Sequence, residues 1–161
     1  DKGYKHYQVV ETGFKYNMMD LQAALGLGQL RRVESNWKKR DLVWRQYMRA
    51  FSGLPIDLPA SVDAVDSRHA FHLFTVQIDD ERVGFSRDQF LNTMNLHGIG
   101  TGVHYLSLAE HPVYQEKYGW QAESWPNAMM VGRRTVSLPI SAKMNDLEIQ
   151  RVIDTVMSVL A

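Results

Sequence analysis

The segment Gly13-Phe-Lys-Tyr-Asn-Met-Met-Asp-Leu-Gln-Ala-Ala-Leu-Gly-Leu-Gly-Gln-Leu30 decides the fold. Its second half predicts a helix that is capped by Asp20 and runs from Leu21 to about Phe51. Gly26 and Gly28 should each cost this helix about 1 kcal/mol relative to alanine. A helix tolerates such glycines where another backbone comes close, so we expect tight packing at this point.

The rest of the predicted helix carries one apolar stripe at helical spacing, formed by Leu30, Val33, Trp37, Trp44, Met48 and Phe51. After a loop, the chain alternates between helices and short strands. The predicted strands are 70–78, which we expect to be covered on both faces, 99–105 and 135–138. The predicted helices begin at a Ser86–Gln89 capping box, at Pro126 and after Asn145.

This order of elements predicts an α/β fold, in which helices cover a sheet of roughly three strands behind a long N-terminal helix. Residues 30–161 are expected to form a small C-terminal α/β domain. Residues 1–29 are expected to pack on, or belong to, a larger neighbouring domain, because their small residues suit close packing.

Composition excludes several classes of protein. The chain has 161 residues, 45% of them hydrophobic and 22% charged, which is typical of a globular protein. Its formal net charge is zero, so no charge excess indicates nucleic acid or an anionic membrane as a partner. It has no cysteine, which excludes disulfides and thiolate metal sites and fits a cytoplasmic protein. Because the chain begins with Asp1 and no signal peptide, we expect it to be cut from something longer.

The remaining motifs do not indicate a cofactor or metal site. Gly26-x-Gly28 lacks the third glycine and the preceding strand of a dinucleotide-binding fingerprint. His69 and His72 are three residues apart, so on a strand they would face opposite sides. The other histidines considered fall in three different predicted elements: His97, His104 and His111. We therefore expect no metal site.

The Gly13–Leu30 segment resembles the nucleotide-sugar aminotransferases of the DegT/StrS type. Three later segments match in the same order: Gly98-Ile-Gly-Thr-Gly-Val-His-Tyr105, Pro112-Val-Tyr114, and Ser137-Leu-Pro-Ile140 followed by the Asn145-Asp146 helix start. The members of this family are pyridoxal-phosphate (PLP) enzymes with the aspartate aminotransferase fold. The resemblance covers nearly the whole chain, which corresponds to the C-terminal part of proteins more than twice as long.

The resemblance implies a fragment of an aminotransferase. The parent protein would move an amino group from an amino acid, which the resemblance indicates is glutamate, to a keto-sugar nucleotide through PLP, as a homodimer serving polysaccharide biosynthesis. Residues 1–29 would adjoin its larger PLP-binding domain and the dimer interface. In the family, a lysine upstream of the segment matching Gly13 holds PLP as a Schiff base. The resemblance therefore places no catalytic residue in this chain, and the chain alone would be inactive.

The resemblance also implies four binding residues. The family's segment matching Gly13–Asp20 reaches the cofactor phosphate of the neighbouring subunit, commonly with Asn and, two positions later, Arg. Here those positions are Lys15 and Asn17. His104 and Tyr105 would border the sugar-nucleotide substrate. From the residues alone, the simpler interpretation is that Lys15 is a solvated loop lysine, Asn17 a turn residue, His104 a strand-end residue and Tyr105 a core residue.

A second hypothesis is that the chain is not part of an enzyme. The same small domain could stand alone as a non-catalytic dimerising or regulatory module. The apolar stripe from Leu30 to Phe51 would then require a partner to cover it.

Overall fold

A computed structural model describes residues 10–60 and 67–161. The chain divides into two compact units, one ending at Val33 and the other beginning at Glu34. The elements follow in chain order: α1 Asp20–Leu30, α2 Val33–Ala50, β1 Phe74–Gln77, α3 Asp80–Val83, α4 Arg87–Leu96, a 3-10 helix Leu108–Glu110, α5 Pro112–Tyr118, a 3-10 helix Ala122–Ser124, α6 Pro126–Arg134, β2 Thr135–Leu138 and α7 Asp146–Leu160.

The α/β class is confirmed, but the predicted long helix is two helices. At the end of α1, the N–H of Arg32 donates to the carbonyl of Gln29 rather than to that of Gly28. The side-chain Nε of Arg32 donates a hydrogen bond of 3.2 Å to the Gly28 carbonyl instead. The side chain thus replaces the backbone bond that would have continued the helix, and α2 starts anew at Val33. The predicted N-cap residue, Asp20, is instead the first residue of α1, and Met19 occupies the N-cap position.

The sheet is smaller than expected. Within the described residues, β1 and β2 pair antiparallel, with Phe74 opposite Leu138. The predicted strand 99–105 contributes only one bridge, between Gly102 and Ser137. Glycines at alternate positions leave this segment without side chains to pack along one face, which weakens a strand. Only 74–77 of the predicted strand 70–78 enters the ladder, with one face buried and the other half-buried.

Aromatic side chains of α2 and β1 form the centre of the core. The ring of Phe74 contacts those of Trp44 and Tyr47, with centroids 4.8 and 5.2 Å away. Tyr47 is fully buried and donates a hydrogen bond of 2.9 Å to the carbonyl of Pro139, while burial raises the pKa of its phenol far above the usual range. The stripe prediction placed Trp44 and Phe51 inside correctly, but it missed Tyr47 and put exposed Leu30 on the buried side.

The predicted Ser86–Gln89 capping box and the predicted helix start after Asn145 are both confirmed. Ser86 and Gln89 cap α4 reciprocally, and Asn145 and Glu148 do the same for α7. α4 ends before Gly98, whose φ of +73° suits glycine. The apolar stripe of α7 packs into the core or against it: Ile149, Val152, Ile153, Val156, Val159 and Leu160. Over residues 10–60 and 67–161, no helix is long and apolar enough to span a bilayer.

Candidate functional site

Lys15 and Asn17 lie in an exposed segment of the first unit, before α1. Phe14 and Tyr16 alternate with them, and their ring centroids are 5.9 Å apart. This contact shows that the two aromatic rings lie beside each other on the exposed segment. Neither polar side chain has a hydrogen bond or ion pair within the described residues. One cation and one amide are thus available to an anion.

α1 follows these residues and buries none of its side chains. Its exposed residues include Leu21, Leu25, Leu27 and Leu30. A Cβ added at Gly26 or Gly28 would meet no atom of another described part of the chain within 4 Å. The expected tight packing at these glycines is therefore not made by the described residues of this chain.

His104 and Tyr105 lie in the second unit, just beyond the bridge between Gly102 and Ser137. The peptide bond between them is cis, and their rings meet edge to face with centroids 4.9 Å apart. Tyr105 is 74% exposed, so it is a surface residue and not a core tyrosine. His104 is half-buried, and its Nδ1 lies 2.8 Å from the hydroxyl of Ser137.

The loop after this pair is fixed by close backbone packing. A Cβ at Gly132 of α6 would lie 2.6 Å from the backbone nitrogen of Ser107 and 3.2 Å from the carbonyl carbon of Leu106. The hydroxyl of Ser107 accepts from the N–H of Ala109 and caps the 3-10 helix. Gly132 therefore lets α6 approach the segment that follows Tyr105.

An aromatic cluster lies further along the chain, from α5 to the start of α6. Tyr114 stacks on Trp120 at 5.1 Å, and Trp120 contacts Trp125 at 5.6 Å. Packing is thus the role that the structure gives Tyr114. Among the described residues, no cluster of three or more His, Asp or Glu side chains could hold a metal ion.

The sequence analysis missed Ser137, which contacts His104 across 33 residues of chain. A polar residue in the middle of a fully buried strand is the signal that could have drawn attention to it.

Comparisons with known proteins identify the family of this chain. The DegT/DnrJ/EryC1/StrS aminotransferase family model matches residues 1–157, and the chain belongs to that family. The spore coat polysaccharide biosynthesis protein SpsC of Bacillus subtilis is 37% identical over 159 residues, which are 98% of this chain and 41% of SpsC. The protein MJ1066 of Methanocaldococcus jannaschii is 32% identical over 160 residues, 99% of this chain and 41% of MJ1066.

A solved structure shows the same fold. Spr1654 of Streptococcus pneumoniae, described as a sugar aminotransferase, superimposes with a TM-score of 0.83 at 28% identity. The match covers 96% of this chain and 38% of Spr1654, which has been solved in apo, PMP and PLP forms. The chain therefore spans about two fifths of the length of these relatives.

Proposed function

We propose that this chain is the C-terminal part of a PLP-dependent aminotransferase that moves an amino group from glutamate to a keto-sugar nucleotide. The observation that carries the proposal is the family match over residues 1–157, together with the likeness to a protein solved with PLP and with PMP. The lysine that binds the cofactor covalently would lie outside this chain. The polysaccharide role named for SpsC supports a sugar substrate.

The free side chains before α1 fit the phosphate of PLP. Lys15 supplies a compact cation, and Asn17 supplies an amide donor two residues later. Once bound, PLP would supply the electrophilic aldehyde and the electron sink that amino transfer requires. The task of these two residues is to bind and orient the phosphate.

His104 and Tyr105 suit the substrate rather than the cofactor in this proposal. The exposed phenol of Tyr105 can donate a hydrogen bond or present its ring to a ligand. The imidazole of His104 is held by Ser137 and keeps its other nitrogen for a ligand. Both would contact the sugar nucleotide.

The apolar surface of α1 supports a dimer. Leucines exposed around a helix that buries none of its residues need a cover in the working protein. We assign that cover to the rest of the longer protein and to a second copy of it. Gly26 and Gly28 would then allow the close approach that their sequence predicts.

Lys15→Ala tests the phosphate contact in the product of the complete reading frame. Losing a charge-assisted hydrogen bond of about 1.5–3 kcal/mol should weaken PLP binding roughly 10- to 150-fold. PLP retention is measured by its absorbance after dialysis, and amino transfer from glutamate to a keto-sugar nucleotide is assayed with excess PLP.

Lys143→Ala is the matched control, since it removes another exposed lysine. It should bind PLP as the unaltered protein does. Equal PLP affinity in the Lys15 and Lys143 variants would show that Lys15 does not contact the phosphate. Amino transfer that is absent from the unaltered protein would count against the proposed function itself.

A further inference from the structure

The imidazole of His104 is held on two sides. The hydroxyl of Ser137 lies 2.8 Å from Nδ1. On another side, the ring lies against Gly102, where an added Cβ would be 2.9 Å from Cε1 and 3.4 Å from Nδ1. Since Gly102 and Ser137 also exchange backbone hydrogen bonds of 3.1 and 2.7 Å, one bridge positions both contacts.

The hydroxyl of Ser137 decides which ring nitrogen carries the proton. Ser137 is only 5% exposed, and within the described residues His104 is the sole partner of its hydroxyl. If Nδ1 carried the proton, it would donate to Oγ, and the hydroxyl proton would be left without an acceptor in a buried place. If the hydroxyl donates to Nδ1, both groups are satisfied, and leaving a buried donor unpaired costs free energy.

The other ring nitrogen is available to a ligand. Nε2 makes no hydrogen bond with any described residue. Because Nε2 has no such partner and is not a buried atom, it is accessible to solvent. A ring that accepts at Nδ1 carries its proton at Nε2 and presents a donor there.

We propose that Ser137 and Gly102 are positioning residues that hold His104 in the Nε2–H tautomer, so that it donates a hydrogen bond to a phosphate oxygen of the sugar nucleotide. The ligand in this inference rests on the proposed function, whereas the tautomer does not. Phosphate oxygens accept and do not donate, so a fixed N–H donor suits them and a bare ring nitrogen would repel them. Neither positioning residue touches the ligand.

The tautomer can be measured on the complete gene product without substrate, labelled with ¹⁵N-histidine. Two-bond ¹H–¹⁵N correlation spectra at about pH 8.5, where an ordinary imidazole is neutral, distinguish a protonated ring nitrogen from a bare one. His104→Gln identifies the signals of His104 by their loss. The expected spectrum has a fully protonated Nε2 and a fully bare Nδ1, while the exposed rings of His72 and His97 show averaged tautomers.

Two variants test the cause. Ser137→Ala removes the donor, and Gly102→Ala pushes against the ring, so each should return the His104 signals to the averaged pattern. Ser107→Ala is the control, because this buried serine bonds to the N–H of Ala109 and not to His104. It should leave those signals unchanged.

A protonated Nδ1 in the unaltered chain, or averaged His104 signals there, would overturn the proposal without the need for any variant to fold. Unchanged His104 signals in a folded Ser137→Ala chain would overturn the role of Ser137. Since no ligand is present, these outcomes are independent of whether the longer protein transfers amino groups.

Discussion

Replacing Phe74 with alanine is expected to lower the free energy of unfolding by about 3–5 kcal/mol. Phe74 is fully buried, and its ring contacts Trp44, Tyr47 and Phe51 at centroid distances of 4.8, 5.2 and 6.2 Å. Alanine would leave a cavity that these rigid rings cannot fill by small movements. Urea unfolding of the 161-residue chain, followed by tryptophan fluorescence, measures the change.

Phe14→Ala is the matched control, because the ring of Phe14 is 87% exposed. It should change the free energy of unfolding by no more than about 0.5 kcal/mol. If both variants lost the same small amount, Phe74 would not lie at the centre of the core.

Gly132→Ala is expected to destabilise the chain by about 1–3 kcal/mol, although alanine is the better helix former by about 1 kcal/mol. The new Cβ would lie 2.6 Å from the backbone nitrogen of Ser107, so α6 or the loop after Tyr105 must move. Urea unfolding gives the loss of stability. A change in the NMR chemical shifts of the backbone amides of Leu106 and Ser107 would show that the strain displaces this loop.

Gly28→Ala makes the same change in a helix where nothing lies within 4 Å of the added Cβ. In the 161-residue chain it should therefore increase helicity or leave it unchanged. A Gly132→Ala chain that is more stable than the unaltered one would mean that α6 does not approach the loop as closely as the structure indicates.

Local signals predicted the helices well. The capping boxes at Ser86 and Asn145 each involve only four consecutive residues, and the apolar stripe of α7 repeats over several turns. The break between α1 and α2 was not predictable in this way. It depends on which of two donors of Arg32 reaches the Gly28 carbonyl, and the apolar pattern runs through the break.

Strands were harder to predict, because pairing depends on residues far apart in the chain. The segment 99–105 alternates glycine with larger residues and reads as a strand, yet only Gly102 bridges to β2. The apolar run 70–78 likewise predicted a strand twice as long as β1. In both segments, tertiary contacts determined how many of the residues predicted as strand pair with a neighbouring strand.

The candidate site was predicted by resemblance and not by spacing. His104 and Tyr105 stand at the end of the bridged segment, but nothing near them in sequence indicates Ser137 as a partner. Nothing in the sequence around Gly132 indicates close packing, and only the structure shows the Ser107 backbone beside it. Lys15 and Asn17 lie in the other unit, and their role as phosphate ligands stays a prediction.

Borohydride reduction of the complete gene product with PLP, followed by peptide mapping, tests the central claim most directly. The account predicts one PLP-bearing lysine per chain, located upstream of the 161 residues, and no stoichiometric adduct on any of their seven lysines. An adduct at one of those seven would contradict the account and place the covalent site within this chain. If no adduct forms anywhere in the gene product, the non-catalytic module becomes the better reading.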